Sequence, residues 1–196
     1  MADRERAGTP SPARADVSER VPFLDTLARA KRGGDCGALT EAIPYARFLG
    51  IRAEKVAGEL LCRLPYLPAN VGNTALPALH GGVLGALLES SAVVHLLWEV
   101  DTVHLPKTIT ITVDYLRSAR PVETFARGKI TRLGRRIATV QIEAWQDDRT
   151  QPIASAVARF LLTPAEGPAR ITEGPARITE GPARTEGPVG GASQGP

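Results

Sequence analysis

Residues Leu76 to Val100 read LPALHGGVLGALLESSAVVHLLWEV. A single carboxylate, Glu89, stands in the middle of a run that is otherwise almost entirely apolar, and the run opens on His80, Gly81 and Gly82. Each of these residue types has a chemistry. The first backbone N–H groups of a helix have no acceptor within it and lie at the positive end of its dipole. Glycines at that place have no side chain to screen them, so the amides of Gly81 and Gly82 can hold a carbonyl oxygen or an oxyanion. A carboxylate such as Glu89 can act as a general base or as a nucleophile. The two parts are about nine residues apart, roughly 13 Å along one helix, which is too far for one small reacting group. Two copies of the helix running antiparallel across a symmetric dimer would bring one part from each copy to each of two sites.

The faces of that helix differ. At 100° per residue, Gly82, Gly85, Ala86, Ala92, Val93 and Leu96 fall on the side of Glu89, and most of them are small. Leu84, Leu87, Val94 and Trp98 fall on the far side, together with Ser91 and His95. The bulky side can fill a core against a sheet. The small side admits a close neighbour, either another backbone or a narrow ligand, so Glu89 points at a close contact.

The elements that must position this helix follow from the rest of the pattern. DVSERVPFLDTLARAKRGG has Ser18 as an N-cap, helical spacing and Gly33-Gly34 as a stop. CGALTEAI is a shorter helix ended by Pro44, and EKVAGELLCRLPY alternates loosely as one strand. A loop with Pro68, Asn70, Gly72, Asn73 and Pro77 enters the long helix. Beyond it the period becomes two: in KTITITVDYLRSA, Thr108, Thr110, Thr112 and Asp114 alternate with Ile109, Ile111, Val113 and Tyr115. ETFARGKITRL and RRIATVQIEAWQDD read as two more strands joined at Leu133-Gly134-Arg135, and PIASAVARFLLT as the last. One long apolar helix followed by an antiparallel meander requires the sheet to wrap the helix. The expected class is α+β, with extra helices at the N-terminal side.

Bulk numbers exclude several functions. A chain of 196 residues suits one domain plus tails. The net charge of +3 comes from scattered Arg, so nucleic acid is not an expected partner. Cys36 and Cys62 have no metal-ligand spacing and read as free thiols in a reducing cytosol. His80, His95 and His104 form no ligand motif, so neither metal nor cofactor is expected. The opening MADRERAGTPSPARAD lacks the apolar stretch of a secretory signal. The run from Val83 to Val100 is long enough for a membrane span, but Glu89, His95 and Glu99 would be costly in lipid, so a cytoplasmic protein is expected. Residues 1–16 read as a disordered segment, 17–163 as the domain, and 164–196 as a disordered tail of EGPARIT repeats, whose Gly-Pro pairs exclude a coiled coil.

HGGVLGALLE, His80 to Glu89, resembles the hotdog-fold acyl-CoA thioesterases, most closely the phenylacetate-pathway (PaaI-like) and 4-hydroxybenzoyl-CoA thioesterase branch. TITVDYLRSARPVE, ARGKITRLGRRIATVQIEAW and IPYARFLGIRAEKVAGELLCRLPY continue the likeness over about residues 37 to 163. The resemblance implies an antiparallel sheet wrapped around a long central helix. It implies hydrolysis of an acyl-CoA thioester by a homodimer or homotetramer. It gives Glu89 the place of the catalytic carboxylate and Gly81 that of the amide that polarises the carbonyl. It places His80 beside Gly81, where it shapes the loop and contacts the substrate, and Gly82 among the substrate-binding residues. Thr108 takes a position that can hold the nucleophilic water. Gly134, Arg135 and Arg136 fall where the family's hairpin runs beside coenzyme A. The family's Asn or Gln, whose amide helps position the thioester, stands six residues before the His. That place falls on Thr74, and a small loop shift would bring Asn73, one residue earlier, into it as the catalytic amide. Four residues after the acid, some relatives carry a polar water-binder where this chain has Val93. The same fold also serves non-catalytic acyl-CoA binding and, with a His-Phe-Pro loop or an Asp-His pair absent at this helix entry, hydratase or dehydratase chemistry.

Overall fold

A computed structural model describes residues 20–73, 75–102 and 104–163. The N-terminal segment 1–16, Ser18, Thr74 and the repeat tail lie outside the described residues. Three helices come first: α1 (Arg20–Gly33), α2 (Gly37–Ala42) and α3 (Pro44–Leu49). Pro44 both ends α2, as expected, and opens α3, which the sequence reading did not separate. Its missing N–H and fixed φ cost nothing at a first helical position. Gly50, at φ 74°, closes that helix.

The stretch read as one strand is a hairpin of β1 (Arg52–Val56) and β2 (Glu59–Leu64). Ala57 and Gly58 both take positive φ, 50° and 85°, the backbone that a two-residue hairpin turn demands. A 3-10 turn at Pro68–Asn70 leads into a small ribbon, β3 (Val71–Asn73) with β4 (Ala78–Leu79), and then into the long helix α4 (Gly81–Glu99). The remaining strands are β5 (Lys107–Tyr115), β6 (Thr124–Leu133), β7 (Ile137–Trp145) and β8 (Ala154–Leu161).

The main sheet has six strands in the order β1-β2-β6-β7-β8-β5, and every neighbouring pair is antiparallel. The expected meander is therefore only partly present. β6, β7 and β8 follow one another, but β5 crosses to the far edge beside β8, and β6 pairs with β2. α4 packs against β2, β5, β6, β7 and β8, so the sheet encloses the helix.

Small residues on the sheet and large ones on the helix build the core. Ala126, Ala138, Ala144, Ala154, Ala156 and Ala158 are all buried on the inner face, while Leu84, Leu87, Leu88, Val94 and Leu97 of α4 fill the space above them. Each fully buried Leu stabilises the fold by about 2–3 kcal/mol. The helix is long and apolar enough to cross a membrane, yet it is the centre of this core. Its small-residue face is open only along the first half. Ala92, Val93 and Leu96, expected beside Glu89 on that face, are buried, and the N-terminal helices α2 and α3 pack on α4 as well.

Candidate active site

The site starts at the entry of α4. His80 is the N-cap residue, in extended conformation at φ −65° and ψ 132°. Its Nδ1 accepts the Gly82 N–H at 2.9 Å, so a neutral ring keeps its proton on Nε2. The His80 amide donates to the Asn70 carbonyl at 2.8 Å, and the His80 carbonyl accepts from Val83 and Leu84 at 2.9 and 3.2 Å. Gly72 makes room for this residue: a Cβ there would stand 2.8 Å from His80 Cα, Cβ and Cδ2. The expectation of two available amides is thus reduced to one. Gly82 is capped, and the Gly81 N–H is the first-turn donor with no acceptor among the described residues.

Glu89 is half-buried on the open half of α4. Thr108 Oγ1 donates to its Oε1 at 2.6 Å. Strict alternation along β5 puts Thr108 outside with Thr110 and Thr112. A bulge between Thr108 and Thr110 reverses this, because one extra residue swaps the face of everything before it. Thr108 then pairs with Phe160, Ile111 with Ala158, Val113 with Ala156 and Tyr115 with Ala154. All four partners are buried, so Thr108 and Tyr115 share the helix-facing row. Gly81 and Glu89, eight residues apart on one straight helix, are separated by about 12 Å. They do not meet within one chain.

The other candidates lie around this pair. Asn73 Oδ1 accepts the amides of Ala75 and Leu76 at 3.0 and 3.1 Å, which commits its oxygen to the loop. Gly134, Arg135 and Arg136 form the β6–β7 turn, where Gly134 N–H donates to Ile137 O at 2.8 Å. The turn stands at the same end of the sheet as Thr108, since Thr108, Phe160, Ala138 and Leu133 are in register across four strands. Ala138 is two strand spacings from Thr108, about 10 Å. Both arginines of the turn are exposed.

One residue of the site escaped the sequence reading. Tyr115 Oη donates to the Gly81 carbonyl at 2.8 Å. Its signal was the alternation with Ile111 and Val113, which places it on the row facing the helix. The two cysteines have no part here. Both are free and buried, and burial, first of all, pushes the Cys62 thiol up to about 12, which keeps it protonated and poor as a nucleophile. Among the described residues, no cluster of three His, Cys, Asp or Glu side chains has the arrangement of a metal site.

Comparison with known proteins converges on the same elements. The model of the thioesterase superfamily matches residues 76–153, from the loop before α4 through β7. The medium/long-chain acyl-CoA thioesterase YigI of Escherichia coli K12 is 30% identical over 135 residues, covering 61% of this chain and 86% of that protein. Among solved structures, a protein from Chromobacterium violaceum is 40% identical with a TM-score of 0.59, covering 71% of this chain and 98% of its own. A phenylacetic acid degradation-related protein from Ralstonia eutropha shares the fold at 24% identity and a TM-score of 0.57, covering 69% of this chain and 98% of its own. With a relative 30% identical matched over 86% of its length, and a family model seated on α4 and the strands around it, the chain belongs to the thioesterase superfamily and carries its hotdog fold.

Proposed function

We propose that this acyl-CoA thioesterase cleaves its substrate at a site shared by two copies of the chain. Gly81 N–H of one copy holds the thioester carbonyl oxygen, and Glu89 of the other copy attacks the carbonyl carbon or takes a proton from the water that does. In the first case the C–S bond breaks to leave the acyl group on Glu89 as a mixed anhydride, which water then hydrolyses. In the second the water oxygen stays on the acyl carbon as the C–S bond breaks. In both the coenzyme A sulfur leaves and gains a proton, and the acyl group departs as the free acid. The observation that carries this reading is the 2.6 Å hydrogen bond from Thr108 to Glu89 on the open half of a helix whose one unpaired entry donor is Gly81. Thr108 fixes the carboxylate and, with it, the attacking oxygen. The separation of about 12 Å along the helix supports a dimer or tetramer, because a second helix laid antiparallel on the small residues closes that gap.

His80 shapes the turn that exposes Gly81 and leaves Gly82 beside the acyl group. The Asn73 amide nitrogen reaches the thioester from the loop, and Gly134 lets the β6–β7 turn lie against coenzyme A. Arg135 and Arg136 of that turn suit its phosphates. No cofactor enters this scheme, and a cytoplasmic location fits the substrate. The likeness to the Escherichia coli enzyme makes medium- and long-chain acyl-CoAs the first substrates to try.

The test is thiol release from short, medium, long and aromatic acyl-CoAs by wild type and Glu89→Gln, with sedimentation of both. Turnover by wild type, lost in an oligomer of unchanged size, is the expected result. Saturable binding without turnover would mean an acyl-CoA-binding protein, and a strict monomer would overturn the shared site.

A further inference from the structure

Gly81 is the most flexible kind of residue at the place where the proposed reaction needs the most exact direction. Glycine takes a wide range of φ and ψ, so the outward aim of its N–H must be set by its neighbours. The preceding peptide, His80–Gly81, is held by its carbonyl, which accepts from Val83 and Leu84. The following peptide, Gly81–Gly82, is held at both ends. Its N–H donates to His80 Nδ1 at 2.9 Å, and its carbonyl accepts from Tyr115 Oη at 2.8 Å. Tyr115 thus supplies the clamp that comes from outside the helix and its cap.

The ring supports the same reading. A Cβ on Gly81 would stand 3.3 to 3.5 Å from Tyr115 Cζ, Oη and Cε1, and one on Gly85 would stand 3.6 Å from Oη. The hydroxyl end of the tyrosine therefore stands against the first turn of α4. It is 55% exposed, so its hydroxyl has water to bond to and is not driven onto Gly81 by burial. Its place in the row is set by β5, the same strand that carries Thr108. One strand thereby addresses both halves of the chemistry: Thr108 orients the carboxylate, and Tyr115 orients the peptide that follows the amide donor.

We propose that Tyr115 is a positioning residue, which locks the Gly81–Gly82 peptide so that the Gly81 N–H points at the thioester carbonyl oxygen. This rests on the reading of Gly81 as the oxyanion donor. Such a role predicts a loss in the chemical step. Small misalignments of a reacting group are costly in rate, while removal of a whole oxyanion donor costs at least about a hundredfold. Loss of the Tyr115 hydroxyl should therefore fall short of that limit.

The experiment pairs kinetics with a carbonyl probe. Wild type, Tyr115→Phe and Tyr115→Ala are assayed with the best acyl-CoA. Each is also titrated with the matching ketone analogue, in which a CH2 replaces the thioester sulfur and the carbonyl carbon is 13C-labelled. Tyr115→Phe is expected to lower kcat roughly tenfold with KM changed by less than about twofold, the signature of an interaction that matters in the transition state. Its melting temperature should stay with wild type, and the downfield shift of the bound 13C carbonyl should shrink. Tyr115→Ala should match or exceed the loss. A kcat and a carbonyl shift both equal to wild type in Tyr115→Phe would overturn the role, as would a rise in KM alone. Wild type that polarises the bound ketone in a Tyr115-dependent way but releases no thiol would sink the hydrolase reading and leave the positioning role standing. A ketone that binds to none of the three proteins would overturn both.

Discussion

Glu89 and His95 are both polar side chains of the apolar helix α4, and the molecule treats them in opposite ways. Glu89 sits on the half-open side, with one hydrogen bond from Thr108 at 2.6 Å. A carboxylate has about four acceptor positions, so most of its capacity is left for water or substrate. His95, six residues on, is 2% exposed. Its Nδ1 faces Ser91 O at 2.7 Å and its Nε2 faces Leu60 O at 3.0 Å, tying the helix to β2. The strand across from it is shaped to fit: a Cβ on Gly128 would stand 3.1 Å from the ring. A polar residue in an apolar helix is therefore not yet a site. The distinction lies in bonding capacity, which His95 spends on the fold and Glu89 keeps.

The sharpest way to break this contrast is Glu89→Gln. The amide keeps the shape and loses the charge. Turnover should fall by about a thousandfold or more, close to 4 kcal/mol in the barrier, with melting temperature and oligomer unchanged. A variant that still turns over at the wild-type rate would remove the chemical half of the comparison. His95→Ala should do the reverse. Deleting a large buried side chain costs about 3 kcal/mol of stability, read from urea unfolding, while kcat per folded molecule stays near wild type.

The sequence made one half of this contrast legible and hid the other. HGG followed by Glu89 on a small-residue face was visible because period and residue type both appear in the string. The helix's length, the strands after it and the turn at Gly134 were readable for the same reason. What escaped depended on tertiary register. The bulge after Thr108 changes which face every earlier residue of β5 occupies, and no residue in TITIT announces it. The displacement of β5 to the far edge is a matter of pairing, which alternation cannot specify. Pro44 reads as a stop, and that it also starts α3 depends on where the next helix packs. Gly82 looked as available as Gly81 until the His80 ring turned back to cap it. Burial of Ala92, Val93 and Leu96 is likewise invisible on a helical wheel, which knows nothing of other elements.

A smaller change sharpens the catalytic side. Thr108→Val removes the donor to Glu89 and keeps the β-branched shape that suits a strand. With the carboxylate still present but free to turn, kcat should drop about tenfold, or about 1.4 kcal/mol. Thr108→Ser, which restores the hydroxyl, should recover most of it. Steady-state kinetics on both variants checks this, and equal rates for Val and wild type would make Thr108 a plain strand threonine.

The smallest effect expected is a tilt in the stability curve, and it tests the structural half. Burial, the largest influence, holds His95 below the ordinary histidine range, while the Ser91 and Leu60 carbonyls pull the other way. In the unfolded chain the same ring titrates near its usual value of about 6.5. Above that pH both states carry a neutral ring and the stability is complete. As the pH drops below it, the unfolded chain takes up a proton that the folded one refuses, and stability declines until the folded ring titrates in turn. Glu99 works against this trend: burial raises its carboxyl pKa, so folding gains as the pH falls through that raised value. The two contributions separate in a difference experiment. Thermal melts of wild type and His95→Leu between pH 7.5 and 5 should show a steeper acid-side decline in wild type, since Leu cannot titrate and Glu99 is common to both. Parallel curves would mean that the folded protein accepts the proton as readily as the unfolded chain, and that the buried histidine is not the sealed counterpart of Glu89.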